Sequence, residues 1–154
     1  MAQPTSLPTS FQLEIVTPDR LLVREQVDEV QIPGTEGYFG VLPGHTPMLS
    51  ALAVGEMWYR QGQEKIFISV ANGFCEVLPD KVTILAQLAE RAEDIDVARA
   101  EEAKRRAEER LKHAKDVDYD RARLALQKSL ARLQVSSRAP VGGRVGRPRM
   151  PPPQ

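Results

Sequence analysis

Cysteine is nearly absent from this 154-residue chain. Cys75 stands alone, so no disulfide can form within it, and a reducing compartment is the straightforward reading. Histidine is almost as sparse, with two in the chain, and neither sits in a cluster of acidic or thiol groups, which argues against a metal site. No Ser/His/Asp set, no cysteine paired with a histidine and no Walker-type lysine is present, so catalysis by this chain is not expected. No apolar run nears the ~18 residues needed to cross a bilayer. The opening ten residues are polar and contain proline, and read as neither signal nor transit peptide. Acidic residues vanish after Asp120. Residues 121–154 hold eight cations (Arg121, Arg123, Lys128, Arg132, Arg138, Arg144, Arg147, Arg149), against 13 cations and 21 anions before them. The charges of −8 and +8 predict an acidic body and a basic arm that seeks an acidic partner.

What is present divides into two compositions. From Phe11 to about Gln87, short β-type runs alternate with turn residues about every 8–12 positions, the mark of a sandwich or barrel. Phe11, Leu13 and Ile15 share one face of the first run, with Gln12 and Glu14 on the other. Thr17-Pro18-Asp19 ends it. Asn72-Gly73 after Ile66, Ile68 and Val70 predicts a two-residue hairpin turn, and Pro79-Asp80 another. Gly34, Gly37 and Gly40 do not form a phosphate-cradling loop, because Val41-Leu42-Pro43 follows instead of a helix start. Their expected use is tight turning and close strand packing.

Past Glu93 the chain turns to Ala, Glu, Arg and Leu, the strong helix formers. Asp94 or Asp96 is the expected N-cap. Val97, Ala100, Ala103, Ala107, Leu111 and Ala114 form one apolar stripe, and Tyr119, Ala122, Leu126, Ser129, Leu130 and Leu133 a second. Asp116-Val117-Asp118 supplies a turn and a second cap, and Glu101–Arg105, Glu102–Arg106 and Glu108–Lys112 are spaced as ion pairs. The fold expected is α+β: an N-terminal antiparallel β-sandwich followed by a C-terminal antiparallel two-helix hairpin. Residues 1–10 are read as a flexible lead, 11–90 as sandwich, 91–135 as hairpin and 136–154 as a disordered Pro/Arg-rich tail. Arginines without interleaved aromatics argue against nucleic acid.

Two stretches carry a resemblance. Glu36-Gly37-Tyr38-Phe39-Gly40-Val41-Leu42-Pro43-Gly44-His45-Thr46-Pro47-Met48-Leu49 and Asp94-Ile95-Asp96-Val97-Ala98-Arg99-Ala100 resemble the epsilon subunit of bacterial F-type ATP synthase, in the family's order. The resemblance implies a flattened sandwich of about ten strands. It implies a central-stalk rotor subunit of the proton-translocating enzyme, joining the gamma subunit to the membrane c-subunit ring and lying peripherally on the cytoplasmic face of the bacterial inner membrane. Its helices would extend into the alpha/beta catalytic hexamer and inhibit ATP hydrolysis, with Arg121, Arg123, Lys128 and Arg132 as the cations facing those catalytic subunits. His45, Pro47 and Met48 would then meet gamma and the ring. The competing class is a free-standing nucleotide-sensing or adaptor module with a helical arm.

No cofactor is required by this reading, but a regulatory ATP is a candidate ligand. On a helical wheel Asp96, Arg99 and Arg106 edge the first stripe, and Lys128 and Arg132 with Arg121 edge the second. Carboxylate and guanidinium groups facing one groove suit an adenine amino group and phosphates. The segment Ile95–Ala100 also resembles the ATP-binding motif of some bacterial epsilon subunits, with Glu90 shortly before it. Lys128 departs from it, standing where ATP-binding relatives have Arg, without the bidentate fork. Binding in the millimolar range is the expectation, against a simple helix-start cap with exposed ion pairs.

Overall fold

In the computed structural model, which describes residues 6–113 and 115–139, eight strands precede two helices. The strands are β1 (Phe11–Val16), β2 (Leu21–Val27), β3 (Glu29–Gly34), β4 (Gly37–Val41), β5 (Met48–Leu52), β6 (Gly55–Gln61), β7 (Glu64–Val77) and β8 (Lys81–Arg91). A 3-10 turn (Ala92–Asp94) leads to α1 (Val97–His113) and α2 (Asp116–Ser136). The strands run β2-β1-β8-β7-β5-β3-β4, with β6 joining β3 to β7. Alternation fills the sandwich: Phe11, Leu13, Ile15, Ile32, Met57, Tyr59, Ile68, Val70 and Ile84 belong to one buried cluster.

Two features depart from the sequence expectation. The strand count is eight because β7 and β8 are long and each serves twice. The first half of β7 pairs with β6 and its second half with β5, while β8 runs beside both halves. The joint between those halves is Asn72-Gly73, which the sequence marked as a hairpin turn. Both residues do take positive φ, 57° and 126°, but the chain bends there and continues as strand. The hairpin turn instead lies at Gly62-Gln63, where Gln61 pairs with Glu64 and Gly62 has φ 59°. Gly73 has a second reason to be glycine: a Cβ there would collide with the Leu85 carbonyl oxygen and stand 3.0 Å from Ala86 Cα. The other departure is β1, which pairs antiparallel with β2 but parallel with β8, Leu13 opposite Val82 and Ile15 opposite Ile84. A parallel pair needs a long connection, and the whole rest of the sandwich supplies it.

The hairpin stands on one side of this body. Its α2 packs against β6, β7, β8 and the 3-10 turn, and α1 packs on α2. Asp96 is the cap of α1, its Oδ1 accepting from the Arg99 backbone N–H at 3.0 Å. The second helix begins at Asp116, with Lys115 at its cap position and no side-chain capping bond from it, so the cap position falls one residue before the expected Asp116. Ala100, Ala107, Ala122, Ser129, Ala131 and Val135 are buried. Tyr119 and Leu130, placed on the seam by their spacing, are exposed, because α2 turns a second face, Ala131 and Val135, toward the body. Among the described residues the helix ion pairs are also shifted: Arg105 pairs with Glu102 at 2.8 Å and Lys112 with Glu109 at 3.5 Å, one residue closer than expected. Arg106–Glu102, at 3.5 Å, forms as read.

Candidate functional sites: the hairpin seam and the outer sheet face

The seam between body and hairpin gathers half of the residues singled out for nucleotide. Ser69, Val70 and Ala71 of β7, Leu88 and Glu90 of β8, and Lys128 and Arg132 of α2 line a pocket of about 230 Å³ including its open mouth. The Arg132 guanidinium closes one side of it, Nε donating to Glu90 Oε2 at 2.6 Å and an Nη to Oε1 at 3.1 Å. This two-point grip is the geometry that favours arginine over lysine. Asp96, Arg99 and Arg106 do not line the pocket. Asp96 is committed to capping, Arg99 is exposed at the start of α1, and Arg106 is exposed and paired with Glu102. Much of that space is open to solvent, so as docked the seam encloses no nucleotide-sized cavity, and its arginine already holds a carboxylate. Arg121 and Arg123 are exposed on α2, and Lys128 is half-buried. Among the described residues no group of three or more His, Cys, Asp or Glu can hold a metal ion.

The loop before β5 has a turn geometry. The Gly44 N–H donates to the Pro79 carbonyl at 2.8 Å and the His45 N–H to Leu42 at 3.2 Å, with His45 Nδ1 2.7 Å from the Thr46 carbonyl oxygen. His45 is half-buried while Pro47 and Met48 are exposed. Met48 stands opposite buried Val77, so it lies on the inward-facing register.

The more telling feature is the neighbouring row, which sequence reasoning missed. Leu49 and Ala51 of β5, Phe74 of β7 and Leu85 of β8 occupy the outward register of adjacent strands, Ala51 opposite Phe74 and Phe74 opposite Leu85. Leu49, Phe74 and Leu85 are all exposed. Val16 of β1 continues the row beside Leu85. Buried Cys75, Ile84 and Ile15 form the parallel inward row. A faint signal was available: Phe74 and Leu85 are large apolar residues at positions where the alternation of Cys75, Ile84 and Ala86 calls for outward-facing polar ones. At the margin of this face Glu14 accepts from Lys81 Nζ at 3.2 Å and from Arg24 Nε at 3.0 Å. The Lys81 hydrogen bond first, and the charge of Lys81 and Arg24 with it, holds the Glu14 carboxyl below the usual range. Burial pushes the Cys75 thiol up to about 11, which makes it inert.

Among the described residues no helix is long and apolar enough to cross a membrane. Residues 10–92 match the family described as ATP synthase, Delta/Epsilon chain, beta-sandwich domain, and residues 93–137 match its long alpha-helix domain. The chain is 55% identical to the ATP synthase epsilon chain of Nitratidesulfovibrio vulgaris (strain DP4), over 84% of this chain and 98% of that one. It is 52% identical to that of Syntrophobacter fumaroxidans, over 83% and 96%. Its fold is similar to a chain of the Euglena gracilis mitochondrial ATP synthase (OSCP/F1/c-ring, rotational state 1), with a TM-score of 0.75 at 23% identity, covering 88% of this chain and 86% of that chain. With both domains matched in order and bacterial relatives aligned over nearly their whole length, the chain belongs to the epsilon family of F-type ATP synthase subunits.

Proposed function

We propose that this chain is the central-stalk rotor subunit that joins gamma to the c-subunit ring, and that its hairpin restrains ATP hydrolysis without the chain itself being catalytic. The observation that carries the first half is the outward apolar row of Ala51, Phe74 and Leu85 on a stiff sandwich, with Leu49 exposed beside it opposite Glu76. A contiguous exposed apolar face on a well-packed domain marks a surface meant to be covered. Gamma is the occupant that the family supplies, and the loop of His45 and Pro47 beyond the same strand is the part offered to the ring. The complex would hold the chain peripherally at the cytoplasmic face of the bacterial membrane.

The second half follows from how lightly the hairpin is attached. The sandwich core is complete without it, and the hairpin meets the body through a small separate cluster of Ala92, Ile95 and Val135 with Phe67 and Ala139. Docked and extended arrangements then differ by a few kcal/mol, the condition for a switch. Released, α2 presents Arg121, Arg123, Lys128 and Arg132 to the catalytic hexamer. ATP favours one of the two arrangements only if Arg132 trades Glu90 for phosphate and the seam rearranges to bring Asp96, Arg99 and Arg106 to it.

The test is reconstitution. Chain added to detergent-solubilised complex stripped of epsilon should co-purify with gamma and the catalytic subunits. A chain ending at residue 93 should bind as well while relieving inhibition of ATP hydrolysis. Absence of binding refutes the rotor reading, and unchanged hydrolysis refutes the inhibitory one. Titration with ATP at millimolar concentration, with Arg99→Ala as control, decides the nucleotide; no saturable signal means no site.

A further inference from the structure

Past the end of α2 the backbone makes one more turn, the Arg138 N–H donating to Val135 O at 2.9 Å and the Ala139 N–H to Ser136 O at 3.1 Å. This turn lies at and beyond the end of the family match, which stops at residue 137. It aims Arg138 back onto the sandwich. Arg138 Nε donates to Glu56 Oε2 at 3.3 Å, and the guanidinium carbon stands 5.2 Å from the centre of the Phe67 ring. Glu56 and Phe67 sit on one face of the β6–β7 ladder, because Glu56 pairs with Ser69 and Phe67 with Trp58. The Glu56 side chain is only 11% exposed. Six residues earlier, Arg132 grips Glu90, and between the two arginines Val135 is wholly buried against Ala92, Ile95 and Phe67.

We propose that Arg138, Glu56 and Phe67 form a clasp that closes the far end of the docked hairpin and sets how often the hairpin lifts. The inference rests on the reading of the hairpin as a releasable arm and says what governs its release. The physical argument is an asymmetry between the two states. Docked, the Glu56 carboxylate is nearly out of water and Arg138 is its ion-pair partner among the described residues; leaving it unpaired there is costly. Released, α2 no longer covers it and water solvates it. Losing Arg138 therefore penalises the docked state alone. The Phe67 ring adds a contact that depends on the flat guanidinium, so lysine is a partial substitute.

The test uses the full chain with nitroxides on cysteines introduced at Gln63, in the exposed β6–β7 turn, and Gln127, exposed on α2, in a Cys75→Ala background. Val135→Ala is included to weaken docking until both distances are populated. Pulsed electron resonance then reads the ratio of long to short distance. Arg138→Ala should raise that ratio about 3-fold to 20-fold, and Glu56→Gln, which removes the buried charge along with the pair, should raise it less. Adding Glu56→Gln to Arg138→Ala should bring the ratio down from that of Arg138→Ala alone, and the charge exchange Arg138→Glu with Glu56→Arg should recover most of the docked population. Arg105→Ala, which breaks an exposed pair within α1, should change nothing. An unchanged ratio in Arg138→Ala, with both distances present, overturns the clasp and leaves the releasable arm standing. A single short distance even with Arg132→Ala and Arg138→Ala combined overturns the arm and the clasp together.

Discussion

Replacing Phe74 and Leu85 by serine should separate binding from folding. Phe74 is 66% exposed and Leu85 54% exposed, opposite one another on β7 and β8. Full burial of such a side chain is worth about 1.5–3 kcal/mol. Two thirds of that remains for a partner to gain at Phe74, about 1–2 kcal/mol, and half at Leu85, about 0.8–1.5 kcal/mol. Together they amount to about 2–3.5 kcal/mol, a loss of roughly 30-fold to 400-fold in affinity. By the same shares the folded chain already gains about 0.5–1 kcal/mol from Phe74 and about 0.7–1.5 kcal/mol from Leu85, so the melting temperature of the isolated chain should fall by several degrees while the chain still folds. Calorimetric titration of the double variant into an epsilon-depleted complex, beside thermal unfolding of the chain alone, reads both quantities. Affinity within threefold of wild type would remove this face from the interface. Loss of cooperative unfolding in the isolated chain would mean the two residues support the fold.

Other outcomes follow from the same structure. Gly73→Ala should destabilise the sandwich by more than ~2 kcal/mol in urea unfolding, since φ of 126° and the Leu85 carbonyl both oppose a Cβ. Ile68→Ala should cost about 2–5 kcal/mol by the same assay, as a large side chain fully buried in the core. Glu14 has its folded pKa held below the ordinary value of 4.5, so its ion pairs contribute stability above that value and lose it as pH falls through the folded pKa. Acid unfolding of Glu14→Gln should accordingly show a shallower pH dependence below about pH 4.5, and an unchanged slope would refute the pairing. Cys75, buried with its pKa near 11, should resist alkylation at pH 8 in the folded chain and react on unfolding.

The sandwich was legible where alternation and turn chemistry agree, as in β1, the Thr17–Arg20 turn and the Pro79-Asp80 turn. It was misleading at Asn72-Gly73, where the residues report positive φ and nothing more. Positive φ serves a hairpin turn or a bend within a long strand equally, and only the pairing partners, β5 and β6, distinguish them. The parallel β1–β8 pair carries no local signal at all, since it joins opposite ends of the domain. For the seam, helical spacing set Lys128 and Arg132 with Arg121 along one edge of α2, of which Lys128 and Arg132 line the pocket and Arg121 is exposed, and it could not reveal Glu56, which lies 82 residues from its partner Arg138. Spacing also assigned Leu130 inward, because it supposes one buried stripe where α2 has two.

The two stripes on α2 bear directly on the proposal that the hairpin is a releasable arm on a rigid foot. Every large residue of the main core comes from the strands, so lifting the hairpin opens no cavity there. What lifting exposes is one small cluster, Val135 with Ala92, Ile95 and the flank of Phe67, at ~1.5–3 kcal/mol for each large side chain fully uncovered. The α1–α2 seam, built on Ala100, Ala107, Ala122 and Ser129, is shallower still, since each alanine methyl contributes only ~0.8 kcal/mol. Ionic contacts with the body, Arg132–Glu90 and Arg138–Glu56, supply the other share of the docking energy. Unlike apolar burial, that share can be cancelled by a competing anion or by an acidic partner surface. A hairpin attached mainly by leucines would stay down whatever anion arrived. One attached partly through arginines would, on the proposed reading, be released by the groups it would next bind.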